Sequence, residues 1–225
     1  QRVIAQSGAK NGYDHYLRIG DAEHRNGHWF FDGAVYLLNS TQSLLRPDRG
    51  GAFMQYLHDD TETGANARVS WYFDPDWYQQ TYPEVRELVA SGAYLSPLHH
   101  YLCNPTPQAY LPCAWFSEEY YAATYPDVQV AVDNGVFRNN YEHFIRHGAA
   151  ERRAPAQGID LLKYYLGGSV RIDLEGGAFR DAFAHWIARR PPGGHGSDKV
   201  AVPDEKQTKH LFAVAADNLL PQLAH

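Results

Sequence analysis

Four side chains with metal-binding chemistry, His99, His100, Cys103 and Cys113, fall within fifteen consecutive positions. Imidazole and thiolate together suit zinc. Their spacing, however, matches no standard zinc pattern. His100 also has counterparts at His15, His143 and His185, none of which has a cysteine nearby. Structural histidine beside two thiols is therefore the favoured reading, with a Cys103–Cys113 disulfide or a metal site as alternatives. The same four histidines could act as general acids or bases, because an unperturbed imidazole titrates near neutral pH. A catalytic group is needed at one site rather than four, so packing is expected, with one ring nitrogen bonded to a neighbouring backbone. The sequence holds no Gly-x-x-x-x-Gly-Lys-Ser/Thr, Gly-x-Ser-x-Gly or His-Glu-x-x-His, and no catalytic residue, metal or cofactor is assigned.

A second set of candidates is aromatic. Trp29, Trp71, Trp77 and Trp115 recur near related stretches of sequence. Aromatic faces can stack on the apolar C–H faces of sugar rings, but large aromatics more often build core, and core is favoured here. Trp77 and Tyr120 share a register position that holds Val35 and Lys163 in other copies. Such variation suggests partial exposure and makes Trp77 and Tyr120 the candidate ligand-binding residues. Glu23 with Arg25, and Glu151 with Arg153, recur at matched spacing. They are expected to pair and pin a turn, the alternative being a solvated charged turn worth under about 1 kcal/mol.

The elements that must position these residues follow from a period. Phe73-Asp74-Pro75-Asp76-Trp77-Tyr78 returns 43 residues later as Phe116-Ser117-Glu118-Glu119-Tyr120-Tyr121, with weaker copies at Phe31-Asp32 and Ile159-Asp160. Tyr36, Tyr78, Tyr121 and Tyr164 each stand five positions after a start, and His100 and His143 stand 16 positions before the next one. Stacking of unit on unit is expected to dictate where these tyrosine and histidine side chains lie. A fixed period in this range marks a repeat architecture, because one unit cannot bury its own apolar face. Each unit reads as three short helices. Asp74 caps the first, with Pro75 at its opening position. Pro83 opens the second, which closes at Gly92 or its counterpart Gly135. Ser96-Pro97 or Asn139 caps the third, which carries the histidine.

The expected fold is all-α, with imperfect three-helix repeats of about 43 residues packed side by side. The repeat domain covers 1–190, as a partial repeat 1–30 and repeats 31–72, 73–115, 116–158 and 159–190. A Pro/Gly-rich linker follows at 191–203, then a trailing amphipathic helix at 204–225 through Leu211, Phe212, Val214, Ala215 and Leu219, leading toward a further domain. The degraded outer repeats should act as caps.

Bulk composition narrows the function classes. The hydrophobic fraction of 44% permits a buried core. A net charge of −6 argues against a nucleic-acid surface, which needs a basic stripe. No run of 18 apolar residues is present, so no membrane span is expected. Residue 1 is Gln and the one methionine is Met54, as expected for a processed product or a piece of a longer protein. Two cysteines fit a reducing compartment at least as well as an oxidising one.

The ordered set Phe-Asp-x-x-Trp/Tyr-Tyr, Tyr-Pro-Asp/Glu-Val, Gly, His-Tyr/Phe-Leu/Ile and Gly-x-x-Glu-x-Arg resembles a known repeat. It is similar to the one that precedes the catalytic domains of large bacterial glycosyltransferases building surface polysaccharides. Similar copies occur in secreted repeat-rich proteins of proteobacteria. The resemblance covers roughly residues 13 to 190 and is clearest over 73–153. The stretch from Lys206 to His225 is similar to the segment leading into a GT-A nucleotide-sugar transferase domain. Such enzymes carry an Asp-x-Asp metal site followed by an acidic base. The only Asp-x-Asp here, Asp74-Pro75-Asp76, returns as Ser117-Glu118-Glu119 and is read as helix capping, so no catalytic position is carried over. The resemblance implies a non-catalytic accessory module that positions acceptor glycan or a protein partner, with a covalent neighbour domain. A cytoplasmic location is expected, with the membrane periphery or secretion as alternatives. The competing class is a secreted carbohydrate-binding or adhesion module.

Overall fold

The computed structural model describes residues 9–23, 25–40, 50–63, 67–167, 170–177 and 179–189, with the side chains of 59–63 excepted. The expected linker and trailing helix lie outside the described residues. Among these residues the fold is all-α, and paired extended backbone is confined to a single antiparallel bridge between His28 and Phe31. No described helix is long and apolar enough to cross a membrane. Contacts group the described residues into two units, one within residues 1–70 and the other within residues 71–200.

The unit 71–200 carries three successive sets of three short helices. The first set is Pro75–Thr81, Pro83–Ala90 and Pro97–Cys103. The second is Glu118–Thr124, Pro126–Asp133 and Asn140–His143, the last running into a π-helical turn Phe144–Gly148. The third is Leu161–Leu166, Val170–Glu175 and Ala182–Arg189. They fall in repeats two, three and four of the sequence.

The same local chemistry starts each first helix. Trp77 N–H donates to Asp74 Oδ1 at 3.0 Å, Tyr120 N–H to Ser117 Oγ at 3.1 Å and Lys163 N–H to Asp160 Oδ1 at 2.9 Å. Each satisfies one of the backbone donors that a helix start leaves open. Asp74 of the Asp-Pro-Asp stretch is thus a helix cap. Pro83 and Pro126 open the second helices, where a missing N–H costs nothing. Those helices stop at Gly92 (φ 77°) and Gly135 (φ 73°), in the left-handed region that glycine enters without strain. Ser96 Oγ and Asn139 Oδ1 then cap the third helices, from His99 N–H at 3.1 Å and Glu142 N–H at 2.9 Å.

Two of these repeats close on themselves. Asp74 N–H donates to Pro112 O at 3.0 Å, and Ser117 N–H to Pro155 O at 3.1 Å. Beside these bonds, Leu111 N–H donates to the Tyr82 hydroxyl and Ala154 N–H to the Tyr125 hydroxyl, both at 2.9 Å. The segment leaving one repeat is thereby fixed against that repeat's own beginning.

Helices of six to nine residues are marginal alone, so packing must hold them. Phe73, Tyr78, Phe116, Tyr121, Tyr141, Phe144 and Phe183 are each at most 2% exposed. Repeats three and four meet through Phe144 and Phe183, with ring centroids 4.9 Å apart. Tyr72, just ahead of the second repeat, lies 6.2 Å from Phe183, donates to Asp181 Oδ2 at 2.5 Å and accepts at its carbonyl from the Tyr141 hydroxyl. An open row in which each repeat touches only its neighbours would keep Tyr72 away from repeat four. The packing within this unit is therefore closer than such a row.

In the unit containing residues 1–70, Asn11 caps Gly12–His15, which runs into a π-helical turn Tyr16–Gly20. Buried Asp21 accepts from Phe53 N–H at 2.9 Å and Met54 N–H at 3.0 Å, capping Ala52–Thr63 from outside that helix. A Cβ on Gly51 would collide with Asp21, so glycine is required there. Asp32 caps Gly33–Asn39 through Ala34 and Val35 N–H, and its own N–H donates to Val69 O at 2.7 Å.

Candidate functional site

The recurring tyrosines and histidines meet in pairs. Tyr78 OH lies 2.9 Å from His100 Nδ1, Tyr121 OH 3.1 Å from His143 Nδ1, and Tyr164 OH 2.8 Å from His185 Nδ1. Burial pushes the Tyr78 and Tyr121 phenols up and the His100 and His143 imidazoles down. Both effects favour the neutral forms, so each pair is a hydrogen bond between an uncharged phenol and an uncharged imidazole. The expected backbone partner for the imidazole is replaced by this phenol. The reason is geometric: a first-helix tyrosine points inward at the third helix, where the histidine faces it.

Packing around the pairs also recurs. Phe73–Tyr78 and Phe116–Tyr121 centroids are both 5.1 Å apart. Tyr101 lies 6.0 Å from Tyr78, and Phe144 lies 5.8 Å from Tyr121. Gly148 leaves room for this core in repeat three, since a Cβ there would strike the Tyr121 hydroxyl.

The pair in repeat four carries an addition. His185 Nε2 lies 2.9 Å from Asp173 Oδ2, and Arg189 Nη2 stands 3.8 Å from the same oxygen. A carboxylate on Nε2 sets the tautomer with its proton there and Nδ1 as acceptor. Sequence spacing did not single out Asp173, whose register from the repeat start holds Glu87 in repeat two and Val130 in repeat three.

In the unit 1–70, Tyr36 is 0% exposed and packs 5.7 Å from Tyr56 and 6.1 Å from Phe31. Gln55, 0% exposed, lies on Ala52–Thr63, where Gln55-Tyr56-Leu57 stands in the sequence for the His-Tyr-Leu triplet. His15 is half-buried at the end of Gly12–His15, next to Tyr16, which packs 5.7 Å from Phe53.

The two ligand candidates are both half-buried, each on the first helix of its repeat. Trp77 is edge-on to Tyr82 at 6.2 Å, and Tyr82 to Tyr110 at 4.9 Å. Tyr110 in turn stands 4.8 Å from His100, which also lies 4.7 Å from Tyr94. Tyr82, Tyr94 and Tyr110 are likewise half-buried, so repeat two presents a continuous run of rings. Sequence reading singled out only Trp77 from this run. Tyr110 shares a register with Arg153, 43 residues on, and that contrast was the available signal. Of the other tryptophans, Trp71 is core at 5% exposure, Trp29 is 46% exposed, and Trp115 packs against Trp186 at 5.1 Å.

The two charged turns form ion pairs. Arg25 Nη2 lies 2.7 Å from Glu23 Oε2, and Arg153 Nε lies 2.6 Å from Glu151 Oε2. Arg153 also covers the Tyr125 ring at 4.9 Å and approaches Asp127 at 3.7 Å. Glu118 begins the first helix of repeat three. Its carboxylate accepts from Asn140 N–H at 3.0 Å and Tyr141 N–H at 3.1 Å, so it caps a helix 22 residues away. Burial outweighs these bonds and pushes its acidity toward weaker acid.

Cys103 is exposed, and Cys113 is buried with its Sγ 4.0 Å from the Tyr141 hydroxyl; no disulfide joins them. No group of three or more metal-ligating side chains occurs among the described residues. Comparison with protein-family models, with curated proteins and with solved structures finds no match to this chain.

Proposed function

We propose that this chain is a non-catalytic accessory module of a bacterial polysaccharide-building glycosyltransferase, and that it positions acceptor glycan. The observation that carries this reading is a division of labour among side chains. The groups with catalytic chemistry that recur, Tyr78 with His100 and Tyr121 with His143, bond to one another inside the core. The aromatic positions that differ between repeats, Trp77 against Tyr120 and Tyr110 against Arg153, lie at the half-exposed surface. An extended surface of rings suits the holding of a polymer better than bond chemistry on one.

The test is a glycan array probed with residues 1–225, alongside incubation of the same chain with a panel of sugar nucleotides. Glycan binding without turnover supports the module. Sugar-nucleotide turnover abolished by one point substitution would make the chain an enzyme instead.

A further inference from the structure

Repeats two and three use one surface position in opposite ways. In repeat three, the outer face of Tyr125 is covered by the Arg153 guanidinium, itself paired with Glu151 and Asp127. Repeat two keeps the ring as Tyr82 and the acid as Glu84, but puts Tyr110 where the arginine would be. An internal cation is thus exchanged for a further aromatic ring. The result is an uncharged patch of Trp77, Tyr82 and Tyr110, with the exposed Glu84 carboxylate beside Tyr82 and hydrogen-bonded to Tyr110, and the exposed Asp76 carboxylate preceding Trp77 in the first helix. The nearest cation on the second helix, Arg86, is turned to the Gln79 carbonyl at 3.0 Å.

We infer that the Trp77–Tyr82–Tyr110 surface is a subsite for a neutral glycan chain and discriminates against uronate-bearing ones. This rests on the glycan-positioning reading above and names the ligand class for it. The C–H face of a pyranose stacks on the rings, and its hydroxyls donate to the flanking carboxylates. A uronate would bring its own negative charge against Asp76 and Glu84, which is unfavourable at close range. Repeat three lacks the patch, because Arg153 occupies it.

The experiment is affinity electrophoresis of residues 1–225 through gels holding dextran, mannan, galactan or polygalacturonate. The key variant is Tyr110→Arg, which writes repeat three's own solution into repeat two. Trp77→Ala is a second, independent variant, and near-UV circular dichroism checks that each is folded. The inference expects retardation by at least one neutral glycan, none by polygalacturonate, and at least a tenfold loss of affinity in both variants. Retardation by polygalacturonate alone, or neutral-glycan retardation unchanged in either folded variant, would overturn the subsite and leave the glycan module standing. No retardation in any gel would overturn both.

Discussion

Repeats two and three share a core and differ in their surface. Phe73, Tyr78 and His100 have the same mutual geometry as Phe116, Tyr121 and His143, down to hydroxyl–imidazole distances of 2.9 and 3.1 Å. Outside that core, Tyr110 replaces Arg153, Pro75 stands where Glu118 caps a neighbouring helix, and Pro105 stands where Gly148 extends the third helix. A matching tyrosine–histidine core within divergent surroundings separates what builds a repeat from what a particular repeat presents. Repeat four sharpens the point, since it keeps the tyrosine–histidine bond and adds Asp173 behind it.

The largest expected effects come from removing the shared core. Tyr78→Ala and Tyr121→Ala should each cost about 3–5 kcal/mol in denaturant unfolding, because each empties a fully buried aromatic site. The two values should agree within about 1 kcal/mol if the repeats are equivalent at this position. A near-zero cost at either would break the equivalence. Gly148→Ala acts on repeat three alone. The new methyl would press on the Tyr121 hydroxyl, and overpacking of this kind costs about 1–3 kcal/mol. Its thermal unfolding should shift accordingly.

Acidity offers a third probe. Burial holds His100 and His143 below the usual imidazole range, with Arg153 adding to the effect at His143. Below about pH 6.5 the unfolded chain takes up protons that these folded imidazoles refuse. Stability is therefore complete above that pH and falls as pH drops toward the depressed folded values. The slope is at most about 1.4 kcal/mol per pH unit for each histidine. His143→Gln, the choice repeat one makes at Gln55, should flatten the profile between pH 7.5 and 5.5. An unchanged profile would remove His143 from the account. The smallest effect expected is at the charged turn. Glu151→Gln should cost less than about 1 kcal/mol, since Glu151 is half exposed and its bond to Arg153 is screened.

The all-α character, the helix caps and the closing glycines were legible because each depends on a few adjacent residues. Asp74, Ser96, Asn139, Gly92 and Gly135 do in space what their neighbours in sequence predict. The tyrosine–histidine pairing was half legible: both sets were visible by spacing, but not that they bond to each other across 22 residues. Tyr72 against Asp181, 109 residues apart, was not legible at all, because it depends on how helices settle once folded. The aromatic run was missed for a different reason. Attention to positions that recur passes over Tyr110, whose meaning lies in not recurring.

The account turns on the buried tyrosine–histidine bond as a structural fastening common to successive repeats. Double-mutant cycles of Tyr78→Phe with His100→Gln, and of Tyr121→Phe with His143→Gln, measure it most directly. The account predicts a favourable coupling of about 1 kcal/mol in both cycles, of similar size. Coupling indistinguishable from zero in both, with stability unchanged in the single variants, would contradict it.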